Sequence, residues 1–445
     1  MKFRKEKAKI YNKHKHLKET MKTKYTLTFL LALFSIVGFS QDYYLHCGKI
    51  LDVASGKELT NKTIVISKTK ITKIADGFIP KANPNDIEID LKNKYILPGL
   101  IDLHVHVEHS ENPYTSDYIE NEADVALNSV RYLRITLLAG FTTVRDLGGS
   151  GVNISLRNAI NKGYIDGPRI FTAGKSIAST GGHADPTNGS NRKLVGDPGP
   201  KEGVINSPEE GVKAVRDRYK EGADVIKITS TGGVLSVAKS GKNPQMTVEE
   251  IKAITTTAKD YNMLTAAHAH GDEGMQRAIL GGIKTIEHGT FMSEETMELM
   301  KKYDCYLVPT IIAGKEVAKN AEKEGYYPDI VTPKAKEVGP QIQTTFAKAY
   351  KKGVKIAFGT DAGVYPHGQN AREFTYMTEV GMPAIEAIQA ATITNSMLLG
   401  IDKEIGQIKV GFIADIIAVE ESPLTKIKTL EKTVFVMKDG KIYKN

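Results

Sequence analysis

The chain has 445 residues, of which 41% are hydrophobic and 25% charged, as in ordinary globular proteins. Its formal charge of +8 arises at one end, because ten of the 60 basic and two of the 52 acidic side chains lie in residues 1–40. The remainder carries equal numbers of both signs, which argues against a nucleic-acid partner, and its two cysteines are too few for a disulfide framework.

Residues 1–40 have the pattern of a secretory signal peptide. Two lysines precede a nearly unbroken apolar stretch of 15 residues at 25–39, and small residues precede an expected cleavage before Gln41. The stretch is shorter than the roughly 20 apolar residues of a spanning helix. We therefore expect an exported protein, periplasmic or secreted, with no stable membrane insertion after cleavage. A start at Met21 would leave a signal peptide of more ordinary length.

The mature chain divides into two predicted domains. Short β-like segments separated by turn residues fill 41–97 and 406–445, and predict a small β-sandwich domain built from both ends. Residues 98–405 alternate strand-like and helix-like segments, and eight such units predict an α/β fold of the (β/α)8 TIM-barrel type. The predicted barrel strands end at His106, Asp146, Ala178, Thr229, His270, His288, Thr310 and Asp361.

Histidines concentrate at these strand ends. In a strand, His104 and His106 face the same side about 6–7 Å apart, which suits a shared metal ion. Such a pair alone is more often two ordinary polar side chains. However, eight of the 11 histidines lie at strand ends or in the loops just after: His104, His106, His109, His183, His268, His270, His288 and His367. Because active sites of this barrel form at the carboxyl ends of the strands, the clustering predicts a metal site.

Two charged residues extend this prediction. Lys227 lies inside an apolar predicted strand, where it either reaches solvent or pairs with Asp361, or has a lowered pKa and takes up carbon dioxide as a carbamate. The neighbouring histidines favour the carbamate, which would bridge two divalent cations. Asp361 ends the eighth strand, where it either caps the next helix or binds a metal and shuttles a proton.

These residues resemble the amidohydrolase superfamily, whose barrel carries His-x-His on strand 1, Lys on strand 4, His on strands 5 and 6 and Asp on strand 8. The matching metal ligands are His104, His106, Lys227, His268, His288 and Asp361. A closer resemblance is to the prolidase-like group of Xaa-Pro and Xaa-Arg/Lys dipeptidases, which is related to imidazolonepropionase. It rests on TGGHAD at 180–185, AAHAH at 266–270, TIEHG at 285–289 and FGTDAG at 358–363.

The resemblance implies two divalent metal ions, with Zn²⁺ expected and Mn²⁺ or Co²⁺ acceptable to the same ligands, and carbon dioxide bound as the Lys227 carbamate. It selects His268 over His270 as the strand-5 ligand. It also implies further roles for residues around the metals. Asp361 and His183 are the predicted catalytic residues, the latter supporting an oxyanion or only shaping its loop. Arg145, His270 and His367 are predicted to bind substrate, with Arg145 otherwise serving as an ion-pair partner and His270 otherwise supporting a metal ligand.

The implied reaction is hydrolysis of an amide bond in a dipeptide or N-acyl amino acid by a hydroxide that bridges the metals. One alternative is a cyclic amidohydrolase of the imidazolonepropionase type, against which Lys227 argues mildly. Another is a metal-stabilised barrel without catalysis, although no ligand of the pattern is missing. The expected partner is a small molecule or dipeptide, and a homo-oligomer is left open. Side-chain specificity belongs to loops 107–125, 180–205, 231–246 and 312–340.

Overall fold

A computed structural model describes residues 2–34, 41–108 and 120–445. Its strands are β1 Asp42–Asp52, β2 Lys57–Ser67, β3 Lys70–Asp76, β4 Ile87–Pro98, β5 Leu100–Val105, β6 Phe141–Asp146, β7 Arg169–Thr172, β8 Ala178–Ser179, β9 Val204–Ile205, β10 Val225–Thr229, β11 Leu264–Ala269, β12 Thr285–His288, β13 Tyr306–Val308, β14 Lys355–Ile356, β15 Ile416–Val419, β16 Phe435–Lys438 and β17 Lys441–Lys444.

The helices are α1 Lys2–Phe34, α2 Glu122–Leu138, α3 Val152–Asn161, α4 Arg192–Val195, α5 Pro208–Glu221, α6 Val248–Asp260, α7 Asp272–Leu280, α8 Glu294–Lys302, α9 Ile311–Asn320, α10 Thr332–Lys351, α11 Arg372–Glu379, α12 Ala384–Gln389 and α13 Asn395–Leu398. A π-helical turn at Ala390–Thr394 joins α12 to α13, and a 3-10 helix spans Ile427–Lys432. Within the described residues, none of the helices is both long enough and apolar enough to cross a bilayer.

The two ends of the chain share one seven-stranded sheet in the order β17-β16-β15-β4-β1-β2-β3. The β1–β4 pair is parallel and the other pairs are antiparallel. An apolar cluster centred on Leu45, Ile64, Ile96 and Ile416 packs this sheet. The prediction that N- and C-terminal segments build one β-domain is therefore confirmed.

Eight parallel strands close the barrel. Strands β5-β6-β7 form one run and β10-β11-β12-β13-β14 another. Ile177 joins the runs on one side by hydrogen bonds with Lys227 and Thr229 at 2.8 and 3.0 Å. On the other side, the amide of Asp361 donates to the carbonyl oxygen of His104 at 2.7 Å. The predicted (β/α)8 barrel is thus confirmed, and the extended chain after β14 continues pairing with β5 to the residue where the eighth strand was predicted to end.

Local sequence explains where the outer helices begin. The Ser207 hydroxyl accepts the amide of Glu210 at the start of α5, and Pro208 occupies the first turn, where no amide donor is needed. At α6, Thr247 and Glu250 form a reciprocal capping box. The strands β5, β6 and β10 are buried along their whole length, because helices cover one face and barrel side chains fill the other. The strand ends are therefore held rigidly around the mouth.

Candidate metal centre at the mouth of the barrel

Three strand ends, those of β5, β11 and β12, bring imidazoles into mutual contact. The rings of His104 and His288 have centroids 5.0 Å apart, and His268 lies 4.7 Å from His288 and from His270. Asp361 Oδ1 lies 3.3 Å from Nε2 of both His104 and His106. Two groups have ligand atoms within 4.8 Å of one another, namely His104, His288 and Asp361, and His268, His270 and His288.

A hydrogen bond to one nitrogen orients each imidazole. His104 Nδ1 donates to Glu287 Oε2 at 2.9 Å, and His106 Nδ1 donates to the carbonyl oxygen of Gly148 at 2.8 Å. In both rings this leaves Nε2 facing Asp361. Protein ligands to metals are commonly oriented by such outer partners.

The other three histidines of the cluster are also oriented by a hydrogen bond to one ring nitrogen, each with a different partner. Nδ1 of His288 lies 2.7 Å from the Thr310 hydroxyl, and Nδ1 of His270 lies 2.8 Å from the Thr290 hydroxyl. His268 is reversed, because its Nε2 donates to the carbonyl oxygen of Gly232 at 3.1 Å. Its unprotonated nitrogen is then Nδ1, which is the atom that His268 can offer to a metal.

The electrostatics of the cluster favour metal binding. Burial holds the pKa values of His104, His268 and His288 well below their usual value, so these rings are neutral at neutral pH. The neutral imidazole is the form that binds metals. Burial also lowers the pKa of Lys227 to about 8. Burial acts in the opposite sense on Asp361, but the adjacent His104 and His106 bring the pKa of that carboxyl below its usual value.

The residues present fit a divalent cation. His104 Nε2 and Asp361 Oδ1 are both buried without a hydrogen-bond partner among the described residues, although they lie only 3.3 Å apart. Since Nδ1 of His104 carries the proton given to Glu287, its Nε2 is an acceptor like the carboxylate oxygen. A divalent cation between these two buried acceptors would satisfy both. Nitrogen and carboxylate ligands of this kind suit Zn²⁺ and related metals.

The backbone at the site adopts uncommon conformations. His288, Thr310 and Asp361 have positive φ angles of 73°, 48° and 61°. Such conformations cost side-chain-bearing residues on the order of 1–3 kcal/mol each, and they cluster at functional sites when the surrounding structure enforces them. Here they turn His288 and Asp361 from the strand direction toward the mouth of the barrel.

Arg145 occupies a position that differs from the predicted substrate contact. Its side chain is fully buried, and its guanidinium donates to the carbonyl oxygen of Leu103 at 2.5 Å, the hydroxyl of Thr285 at 3.1 Å and Glu287 Oε1 at 2.9 Å. This is the ion-pair alternative: Arg145 holds Glu287, which in turn holds His104. Arg145 contacts Glu287 and not a substrate because its side chain points inward from β6.

The other predicted substrate residues are placed unequally. His270 belongs to the cluster, and the ring of His183 lies 4.3 Å from that of His268, with Nδ1 buried and without a hydrogen bond among the described residues. Burial lowers the pKa of His183 to about 3. His367 instead packs on helix α2, where its ring stacks on Tyr132 at 4.9 Å and its Nδ1 lies 3.2 Å from the Thr136 hydroxyl. His109, named among the clustered histidines, lies outside the described residues.

Sequence reasoning missed the carboxylates behind the ligands. Glu287 lies in the TIEHG motif, which by itself assigns it no role. Asp102 is fully buried. It accepts hydrogen bonds from the backbone amide of His104 at 3.0 Å, the hydroxyl of Thr360 at 2.6 Å and the side-chain amide of Asn370 at 2.8 Å. The signal that identified Lys227, a charged residue inside an apolar strand, was equally available for Asp102.

Fold and site together define a class. An eight-stranded parallel barrel with histidines and a carboxylate at its carboxyl ends belongs among the barrel hydrolases that use divalent metals. The chain belongs to the amidohydrolase family, whose model, described as "Amidohydrolase family", matches residues 95–443. It is a hydrolase that acts on carbon–nitrogen bonds, and the resemblance drawn from its motifs is confirmed.

Known relatives cover nearly the whole chain. A crystal structure of a Xaa-Pro dipeptidase with methionine bound in its active site is 51% identical, with a TM-score of 0.88 over 91% of this chain and 100% of that one. The ochratoxinase of Aspergillus niger is 32% identical over 419 residues, 89% of this chain and 85% of its own. The imidazolonepropionase of Caldanaerobacter subterraneus is 26% identical over 417 residues, 84% of this chain and 87% of its own.

Proposed function

We propose that this protein is a binuclear metal-dependent dipeptidase, which hydrolyses the amide bond of a dipeptide or N-acyl amino acid. The observation that carries the proposal is the unsatisfied pair of acceptors, His104 Nε2 and Asp361 Oδ1, at the centre of the histidine cluster. The substrate class is supported by the Xaa-Pro dipeptidase that is 51% identical to this chain.

Two sets of residues would hold the metals. His104, His106 and Asp361, whose Oδ1 lies 3.3 Å from both imidazoles, would bind one ion. His268 and His288, which belong to one cluster of possible ligands, would bind the other. Lys227 would contribute to both sites, and Zn²⁺ is the expected metal. When bound, such ions polarise a scissile carbonyl group and activate water at neutral pH.

Lys227 is suited to form the carbamate because its pKa is lowered to about 8. At pH 7 Lys227 is then a neutral amine, which is the reactive form, in about a tenth of the molecules. The amine nitrogen bonds to the carbon of carbon dioxide and releases one proton, which leaves an anionic carbamate. Burial of Lys227 disfavours this anion, so the anion would need the cations that the neighbouring histidines would hold.

Asp361 and His183 would handle the charges that move during hydrolysis. Asp361 Oδ1 would accept a proton from the attacking water and deliver it to the leaving nitrogen. His183 is a neutral imidazole beside His268, and it would donate a hydrogen bond to the oxyanion that develops on the carbonyl oxygen. Arg145 would act through Glu287 on the orientation of His104 and not on the substrate.

A dipeptide library tests the proposal. The chain from Gln41 onward, loaded with Zn²⁺ in bicarbonate buffer, should release free amino acids from a group of dipeptides with a common C-terminal residue. Lys227→Met should abolish release, whereas Lys220→Met, at an exposed position on α5, should leave it unchanged. No release from any dipeptide by the two-metal protein would contradict the dipeptidase and favour cyclic amides, in line with the imidazolonepropionase relative.

Export is proposed on the sequence of residues 1–40 alone. Mass spectrometry of the protein recovered from outside the cytoplasm should find Gln41 at its N-terminus. A mature chain that retains residues 22–40 would contradict the signal peptide.

A further inference from the structure

One lysine holds the loop that covers two histidines of the site. The β10 loop, residues 230–247, connects β10 to α6. Lys334 lies in the first turn of α10, distant in sequence, and its ammonium donates to three main-chain carbonyl oxygens of this loop: Gly233 at 3.1 Å, Ser236 at 2.7 Å and Ala238 at 2.8 Å. An ammonium has three donors, and here all three are used.

Among the described residues, no carboxylate forms an ion pair with Lys334, and burial lowers its pKa to about 8. The carbonyl dipoles of the loop are its partners instead. Apolar contacts bring the same two elements together, since Val234 of the loop packs in one cluster with Val331, Ala335 and Val338 of the α10 region.

The part of the β10 loop that Lys334 holds contacts the histidine cluster directly. The carbonyl oxygen of Gly232 accepts from His268 Nε2 at 3.1 Å. The next residue, Gly233, lies against the ring of His183 so closely that an added Cβ would be 2.2 Å from it. The far end of the loop supplies Gln245, whose Oε1 accepts the amide of His183 at 2.8 Å.

We propose that Lys334 is a positioning residue, which holds the β10 loop closed on His183 and His268 and thereby fixes the orientation of both imidazoles. It neither touches the metals nor supplies a proton. With its donors used on Gly233, Ser236 and Ala238, it is not a ligand for a substrate carboxylate. The inference rests on the proposed function only for its effect on turnover, because the loop and the orientation of His268 can be measured without a substrate.

The test compares Lys334→Met, which keeps the length of the side chain and removes its donors, with Glu337→Gln. Glu337 is a matched control, because it pairs with Lys242 and so also joins α10 to the β10 loop, but at an exposed position. Hydrogen exchange of the zinc-loaded proteins, the rate of zinc loss to a chelator and dipeptide hydrolysis are measured for each, together with Lys334→Arg.

In Lys334→Met we expect amides within 231–240 to exchange roughly tenfold faster or more, with the barrel strands unchanged, because the loop opens locally. Zinc should be lost roughly 10- to 100-fold faster, since His268 loses a fixed outer partner. kcat should fall with little change in KM, and Lys334→Arg should restore part of the loss. Glu337→Gln should match the wild type in every measurement.

Two results would overturn the proposal. One is unchanged exchange in 231–240 and unchanged zinc loss in Lys334→Met. The other is a uniform rise in exchange across the barrel, which would mean that Lys334 only stabilises the fold. If exchange and zinc loss change as expected while no dipeptide is cleaved by the wild type, the positioning role stands and the dipeptidase proposal fails.

Discussion

Glu287 Oε2 accepts a hydrogen bond from His104 Nδ1 at 2.9 Å, between two side chains that are both fully buried. The other oxygen of the same carboxylate is 2.9 Å from the Arg145 guanidinium. One carboxylate therefore sets the tautomer of a candidate metal ligand and neutralises a buried cation. The orientation of His104 depends on this chain of contacts and not on His104 alone.

Glu287→Gln should weaken both metal binding and folding. The amide cannot accept from His104 and neutralise Arg145 together, so metal affinity should fall roughly 10- to 100-fold. Leaving a buried guanidinium without its carboxylate should lower the free energy of unfolding by about 3–5 kcal/mol. Chelator competition and urea denaturation measure the two effects, with Glu295→Gln at an exposed position of α8 as the control. Wild-type metal retention by Glu287→Gln would contradict this account.

The two ligand groups predict unequal effects of histidine substitutions. In the proposed ligand sets His288 binds a metal and His270 does not, although both belong to one cluster of possible ligands. His288→Asn should therefore reduce the metal content per chain more than His270→Asn. Elemental analysis after gel filtration in zinc-free buffer measures the content, and equal losses in the two variants would be the contrary result.

Metal removal should destabilise the folded chain. Cations that bind only the folded state stabilise it by about 2.7 kcal/mol when their concentration is 100 times the Kd. Stripping the metals should lower Tm, and returning Zn²⁺ should raise it in a concentration-dependent way. The same treatment of a His104→Asn variant should shift Tm less, because one of the two unsatisfied acceptors is gone. An equal shift in both proteins would place the stabilising metal elsewhere.

Glu373 should act on His288 from a distance. Its carboxylate accepts the amides of Ile311 and Ile312 at 2.8 Å each, at the start of α9. This helix start follows Thr310, whose hydroxyl orients His288. In Glu373→Gln the side-chain NH2 group would face one of these two backbone N–H donors and leave it without an acceptor. We therefore expect the free energy of unfolding to fall by about 1–3 kcal/mol and zinc to be lost faster.

Glu379→Gln is the matched control for this prediction, because it makes the same change at an exposed position of α11, the helix that also carries Glu373. Zinc loss from Glu373→Gln at the wild-type rate, despite lowered stability, would restrict Glu373 to a structural role.

The contact between the barrel and the seven-stranded sheet should contribute a stability that depends on pH. Arg169 of β7 donates to Asp415 at 2.8 Å and Asp439 at 2.5 Å. Burial alone would raise the pKa of Asp439, but Arg169 and Lys438 lower it below its usual value. A carboxyl with a lowered folded-state pKa stabilises the fold above its unfolded pKa of about 3.9 and loses that contribution as pH falls through the folded value.

Asp439→Asn should therefore be less stable than the wild type at pH 7, by about 1 kcal/mol because the carboxylate is partly exposed. The difference should shrink as the pH falls from 5 toward 3. Denaturation across this range measures it, and Asp402→Asn at an exposed position is the control. A difference that is constant with pH would exclude the ionised carboxylate as the source.

Much of the site was predictable because its signals are local. His104 and His106 share a strand face by simple alternation, and Lys227 stands out as a charge in an apolar run. The roles of Arg145 and His367 were not predictable in this way. Whether a strand-end side chain faces the mouth, another strand or an outer helix depends on the packing around it, and Arg145 turns to Glu287 while His367 turns to α2.

The sequence by itself determined the alternation of strands and helices and the order of the candidate ligand residues, since each follows from patterns within a few residues or from a motif. It also indicated that both ends consist of short strands, although their pairing, as between Ile96 and Ala418, is long-range. Only the tertiary structure decided what orients those ligands. Glu287 is 183 residues from His104, Thr360 is 258 from Asp102 and Lys334 is 101 from Gly233. Such partners meet because the barrel closes and its loops fold over the mouth, and side-chain directions at closure are set by packing among all eight strands.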